Sequence, residues 1–139
     1  MTSSTAIALS GFIAWTLFLI IVMEILRSRL VLLKAIGINE FQPDNANLSA
    51  FMQRMARAHA NCIEGLPIFG GLLLVAMVTG HTAITDPLAY VLLAARVMQS
   101  SVHLMSLSVV AVTVRAAFFA IQMGIGAYWA IRLLSALMA

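Results

Sequence analysis

The sequence predicts an all-α protein, a four-helix transmembrane bundle, and three observations predict it. The 139 residues are 63% hydrophobic and 9% charged, with a mean hydropathy of +1.03, far more apolar than a water-soluble domain of this size. Apolar runs of membrane-crossing length recur along the chain, separated by polar or proline-marked breaks. Each crossing takes roughly 20 residues, so four fit the length and five would leave almost no connections. Residues 1–139 therefore read as one transmembrane domain whose surroundings are the lipid bilayer. The same composition excludes a nucleic-acid-binding module and a disordered tail. The single cysteine, Cys62, excludes a disulfide scaffold.

The first apolar run extends from Ala6 to Leu26, interrupted only by Glu24. It is too long for the core of a secretory signal and lacks the basic start and small-residue cleavage site, so it reads as a helix that stays in the membrane. The second runs from about Asn61 to Thr79 and ends at Gly80. His81 to Asp86 reads as a turn, and Pro87 suits the first turn of a third helix. From Pro87 the chain is apolar to its end, about 50 residues that would make a single helix of roughly 75 Å, so two crossings must share it. The weak point is Leu104 to Val114, where Ser106, Ser108, Thr113 and the β-branched Val109, Val110 and Val112 disfavour helix. The third connection is placed there, and helix four then runs from about Arg115 to Leu137.

Arg27 to Arg57 is the one long polar stretch, with a loop in its middle marked by Gly37, Asn39, Gln42, Pro43, Asp44, Asn45 and Asn47. It carries Arg27, Arg29, Lys34, Arg54 and Arg57 against Glu40 and Asp44. The opposite side has almost nothing basic apart from Arg132. By the positive-inside bias the protein is an integral multi-pass membrane protein whose long basic loop faces the cytoplasm and whose termini lie on the other side.

A charge near the bilayer centre costs at least a few kcal/mol, so charged groups there face other helices and usually mark function. Arg54, Arg57, Asn61 and Glu64 recur at three- and four-residue intervals, which places them on one stripe of a helix. Arg96, Gln99 and His103 repeat the pattern on helix three, and Arg115, Phe119 and Gln122 on helix four. Glu24 and Arg27 lie one turn apart on helix one. The stripes of helices one, two and four are expected at the cytoplasmic end, the helix-three stripe away from it. The plainer alternative is that Glu64 pairs with Arg57 or Arg96, and Glu24 with Arg27, as glue between helices. Counting opposes it, because Arg27, Arg57, Arg96 and Arg115 outnumber Glu24 and Glu64. The surplus positive charge calls for an anionic ligand.

Other residues take blander readings. His59 lies opposite Arg57, Cys62 is a small buried residue, and Trp15, Tyr128 and Trp129 suit interfacial belts. Ala120 and Gly124 match the small-xxx-small spacing of close helix approach. The histidines lack ligand spacing, so no metal is expected.

The string Arg57-Ala58-His59-Ala60-Asn61-Cys62-Ile63-Glu64-Gly65-Leu66-Pro67-Ile68-Phe69 resembles the signature of the MAPEG superfamily, membrane-associated proteins in eicosanoid and glutathione metabolism. Arg27-Ser28-Arg29, Arg96 and Arg115-Ala116-Ala117-Phe118-Phe119 extend the resemblance over nearly the whole chain. The resemblance implies a four-helix protomer assembled as a homotrimer, with glutathione bound between protomers on the cytoplasmic side. It implies that Arg27, Arg57, Asn61, Glu64 and Arg96 hold the tripeptide, Gln99 being counted with them by its stripe, and that Arg115 supports the thiolate. The arginine excess suits two carboxylates and a thiolate, and Glu64 suits the ammonium. The chain departs from the family at Gln99 and His103, where His or Tyr and then Tyr are frequent. It departs again at Ala116 and Phe119, where some members have Ser and Tyr. Glu64 argues against the non-enzymatic lipoxygenase-activating branch, which carries aspartate there.

The leading functional expectation is a membrane-bound glutathione-dependent transferase or peroxidase. Its catalytic residues would be Arg115, with His103 as a second donor to the thiolate, and a lipophilic electrophile would arrive from the bilayer. The alternative is a non-catalytic lipid-binding or accessory scaffold with the same fold. An anion-conducting pore is weaker, because the polar stripes do not reach the outer side.

Overall fold

The computed structural model describes residues 2–139 and contains four long helices, all long and apolar enough to cross a membrane. They are α1 (Ser4–Leu32), α2 (Ala50–Val78), α3 (Thr82–Met105) and α4 (Val109–Met138), with no strand among the described residues. The loop of residues 33–49 joins α1 to α2, and residues 79–81 and 106–108 make the other two connections. Loops this short impose antiparallel neighbours, so the long loop and the α3–α4 turn share one end of the bundle, here the loop end. Helix α3 packs against all three others.

Each helix is longer than its apolar run, and capping explains where most of them begin. Ser3, Ser49 and Ser108 accept hydrogen bonds from the amides of Thr5, Met52 and Ala111 at 3.1, 3.3 and 3.2 Å, satisfying donors that a first helical turn leaves free. The cap at Ser49 starts α2 eleven residues before the expected Asn61. The cap at Ser108 likewise carries α4 through Val109, Val110 and Val112, whose cost in helix is only a few tenths of a kcal/mol each. Nor is His81 to Asp86 a turn: Gly80, at φ +73°, ends α2 and α3 starts at Thr82, with Pro87 inside it. Asp86 instead clamps α3 to the start of α1. Its Oδ1 accepts from Ser3 Oγ, Thr5 N and Thr5 Oγ1 at 2.7, 2.8 and 2.7 Å.

Helix α2 passes through a π-helical turn, Leu66–Gly70, at Pro67, where the missing proline N–H loosens the regular ladder. The turn directs Phe69 into a core with Ala8, Phe12, Leu73, Leu92, Ile125 and Trp129. Trp129 is 0% exposed, so it is a core residue and not part of an interfacial belt. The close approach of α4 is made by Gly126, where an added Cβ would lie 2.9 Å from the Phe69 ring. Gly124 has nothing within 4 Å, and the Ala120–Gly124 pair makes no such approach. A second core, of Leu19, Met23, Met52, Met55, Ala56 and Cys62, fills the loop end.

The long loop is fastened by one side chain. Asn45, at φ +56° and 0% exposed, donates to Met52 O at 2.8 Å and accepts from both Nε and Nη2 of Arg27, at 3.0 and 2.5 Å. Arg27 Nη2 also donates to Gln42 O at 3.2 Å. Asn45→Ala should destabilise the protein by about 3 kcal/mol, from lost charge-assisted hydrogen bonds plus left-handed backbone strain. Asn45→Gly keeps the backbone freedom and should lose less. Thermal melting in detergent checks both.

Candidate functional site

The polar stripes of α2 and α3 face one another near the loop end, and α4 closes the third side. The α3 stripe is therefore at the same end as the others, contrary to the expectation from sequence, because α3 runs back toward the long loop and ends at Met105. Arg54 marks this level, its Nε donating to Leu104 O at 3.0 Å, a carbonyl that the end of α3 leaves free.

Two adjoining cavities lie between these helices. The outer one, about 720 Å³, is lined by Arg54, Arg57, Asn61, His103 and Arg115, with Pro43, Asp44 and Ala46 of the loop as its roof. The inner one, about 490 Å³, is lined by Asn61, Glu64, Gly65, Phe69, Arg96, Gln99 and Phe119. Asn61 borders both. Every candidate site residue read from the sequence except Arg27 thus lines one cavity or the other. Arg27 lines neither. Its guanidinium is taken up by Asn45, Gln42 and Glu24, the last an ion pair at 2.9 Å, and it stacks over Phe41 at 5.4 Å.

Arg96 sets the electrostatics of the inner cavity. It is 1% exposed, and its Nη1 donates to Asn61 O at 3.3 Å. Its Cζ lies 5.2 Å from the Phe12 ring centre and 5.9 Å from that of Phe69. Its Nε and Nη2 have no partner. Neither internal pairing considered for Glu64 forms, since the Arg27–Glu24 contact is the only ion pair among the described residues. Two aromatic faces and one carbonyl offset only part of the several kcal/mol that burying an ion costs. Space for the guanidinium comes from Gly65, where a Cβ would meet Nη2 at 2.6 Å.

Glu64 and Arg57 are exposed on the protomer surface, His103 is buried, and Arg115 is half-buried in the second turn of α4. Gln99 is held from α4 by Gln122, whose Nε2 donates to Gln99 Oε1 at 2.8 Å. Cys62 is buried with Sγ 3.3 Å from Ser100 Oγ and lines neither cavity. The sequence reading gave no part to Asn45, Gly65 or Asp44. Gln122 carries a signal in its place on the α4 stripe, and Gly65 in its place within the Arg57–Phe69 string. Chemically, the two cavities offer a row of hydrogen-bond donors and guanidinium groups with carboxylates at Glu64 and Asp44, which complements an elongated ligand with several acidic groups and one amine.

The MAPEG family matches the chain over residues 5–135. No curated protein and no solved structure matches it significantly.

The unpaired charge of Arg96 makes a prediction that internal glue does not. Arg96→Met replaces it with an apolar side chain of similar length and should raise stability in detergent by about 1–4 kcal/mol, read from chemical denaturation. A loss of stability would mean that Arg96 serves chiefly to hold the helices together.

Proposed function

The chain belongs to the MAPEG family, and from that premise we propose that it is a membrane-bound glutathione-dependent transferase or peroxidase acting on apolar electrophiles or lipid hydroperoxides. Membership places it among integral multi-pass membrane proteins of glutathione-related and eicosanoid metabolism. The observation that carries the finer reading is the buried guanidinium of Arg96 with two unpartnered nitrogens in a cavity wall. An anion is the ligand that offsets such a group. In this reading Arg57 and Arg96 take the carboxylates of glutathione, Asn61 and Gln99 bond its peptide groups, and Glu64 takes the ammonium.

Arg115 supports the chemistry. Its guanidinium stays protonated and favours the thiolate of bound glutathione, the proton leaving to solvent, and each unit by which that thiol's pKa falls takes about 1.4 kcal/mol of preferential stabilisation. The thiolate then attacks the electrophile, forming a carbon–sulfur bond as the halide leaves or an epoxide ring opens. His103 in the outer cavity is a second donor to the sulfur. Phe119, Met123 and Ala127 give the inner cavity an apolar flank on α4, where a lipophilic substrate would lie.

Assembly as a homotrimer belongs to the same reading. Glu64 and Arg57 are exposed on a helix long and apolar enough to cross a membrane, and lipid is a poor surrounding for either, so neighbouring copies are the fitting cover. Arg27 enters as the residue that holds the roof over the outer cavity; binding glutathione directly would require it to leave Asn45. A cytoplasmic position for the long loop follows the distribution of basic residues.

One observation favours an accessory, non-catalytic protein: neither cavity is lined by a serine, threonine or tyrosine hydroxyl, so the thiolate would depend on Arg115 and His103 alone. Turnover decides between the two. Arg115→Leu should retain most glutathione affinity and lose at least about tenfold in kcat with chlorodinitrobenzene, equivalent to roughly 1.4 kcal/mol. Arg115→Lys should recover part of it, since a point charge lacks the planar fork. Wild-type rates in Arg115→Leu would exclude this role and turn attention to His103.

Sidedness is checked separately. Asn39 is exposed in the loop, and Asn39→Cys in a Cys62→Ser background should resist an impermeant thiol reagent added outside intact cells. Ready labelling from outside would reverse the orientation.

A further inference from the structure

Gln122 is a buried polar group to which the proposed chemistry gives no part. It lies on α4 about two turns beyond Arg115 and is 0% exposed. Its Nε2 donates to Phe118 O at 3.0 Å and to Gln99 Oε1 on α3 at 2.8 Å, while its own Oε1 meets no partner. The backbone carbonyl of Phe118 can only accept, so the end of the Gln122 carboxamide beside it must be the nitrogen. That nitrogen in turn requires an acceptor from Gln99. The orientation therefore passes from a helix carbonyl, through Gln122, to Gln99. The polar group that Gln99 has left for the inner cavity, which it lines, is its –NH₂.

A purely adhesive pair would be expected to satisfy both members. Here the Gln122 oxygen is buried without a partner, and the hydrogen bond that holds Gln99 is made through its Oε1 alone, leaving its –NH₂ outside the pair. Replacing both members of such a pair with apolar groups of the same shape is often nearly neutral for stability, so adhesion alone accounts poorly for two glutamines. The position of Gln99 accounts for them better. It sits one turn from Arg96 and one turn from His103, so a fixed donor there joins the inner guanidinium to the outer cluster in an unbroken row.

We propose that Gln122 is a positioning residue that locks the Gln99 carboxamide as a hydrogen-bond donor toward the inner cavity, so that this point of the cleft accepts a carbonyl or carboxylate oxygen of the bound tripeptide and disfavours a donor. The inference rests on the glutathione reading and adds to it the source of the cleft's acceptor preference.

The test is calorimetric titration of glutathione into the full-length, detergent-solubilised protein and three variants. Gln122→Met keeps volume and removes the donor. It should weaken binding about fivefold to tenfold, the range of one hydrogen bond. Gln99→Met should lose about as much, and the double variant no more than either single one, because Gln122 acts only through Gln99. If Gln122→Met fails to assemble, the isosteric Gln122→Glu carries the comparison. An acceptor there turns Gln99 end for end, and the loss should be at least as large. Unchanged affinity in the Gln122 variant, or losses that multiply in the double variant, would overturn the inference alone. Absence of glutathione binding by the wild-type protein would overturn the glutathione reading and this inference together.

Discussion

The constraint on which the rest of the site depends is a guanidinium buried in apolar helices without a counterion. Arg96 is enclosed by Phe12 of α1, Phe69 and Gly65 of α2 and the carbonyl of Asn61, and no carboxylate of the protomer reaches it. Several features nearby can be understood as making room for that group. The π-helical turn at Leu66–Gly70 brings the Phe69 ring beneath it, and Gly65 leaves the space that a methyl group would fill. Proteins retain strained or uncompensated groups of this kind mainly where function requires them.

From that point the site grows outward along helical spacing. One turn of α3 separates Arg96 from Gln99 and another separates Gln99 from His103, while α2 sets Glu64, Asn61 and Arg57 along the facing stripe. The helices act as a rigid frame, and the long loop, fastened by Arg27 to Asn45, supplies the roof. Two arginines one step apart in apparent role are thus used differently: Arg27 satisfies its donors within the protomer, and Arg96 leaves two nitrogens without partners. Charge count alone does not make that distinction, because it depends on whether a buried asparagine stands within reach.

Much of this was legible in the sequence. Hydropathy located four crossings, and the three- and four-residue spacing of Arg57, Asn61 and Glu64, and of Arg96, Gln99 and His103, identified the faces that line the two cavities. The helix ends were less legible. Hydropathy falls off before a helix does, and the caps at Ser49 and Ser108 look in sequence like loop serines. Three-dimensional coincidences were not legible at all. Asn45 resembles any turn residue until its left-handed backbone and burial are seen, and Trp129 resembles an interfacial anchor until it is found in the core. The α3 stripe was assigned to the wrong end for a different reason. Its depth follows from chain direction, and that direction was legible: a third crossing that leaves the far side near Pro87 and ends near Leu104 brings Arg96, Gln99 and His103 back to the loop end.

The central claim is that the surplus positive charge of this cleft exists to hold glutathione. Its most direct measurement is calorimetric titration of the wild-type protein in detergent with glutathione and S-hexylglutathione, at low and high salt. The account predicts saturable binding of both at one site per protomer, weakened by salt through the accessible Arg57 and Arg115 of the outer cavity, while the buried Arg96 is screened far less. Folded protein that gives no saturable heat with either ligand would contradict it.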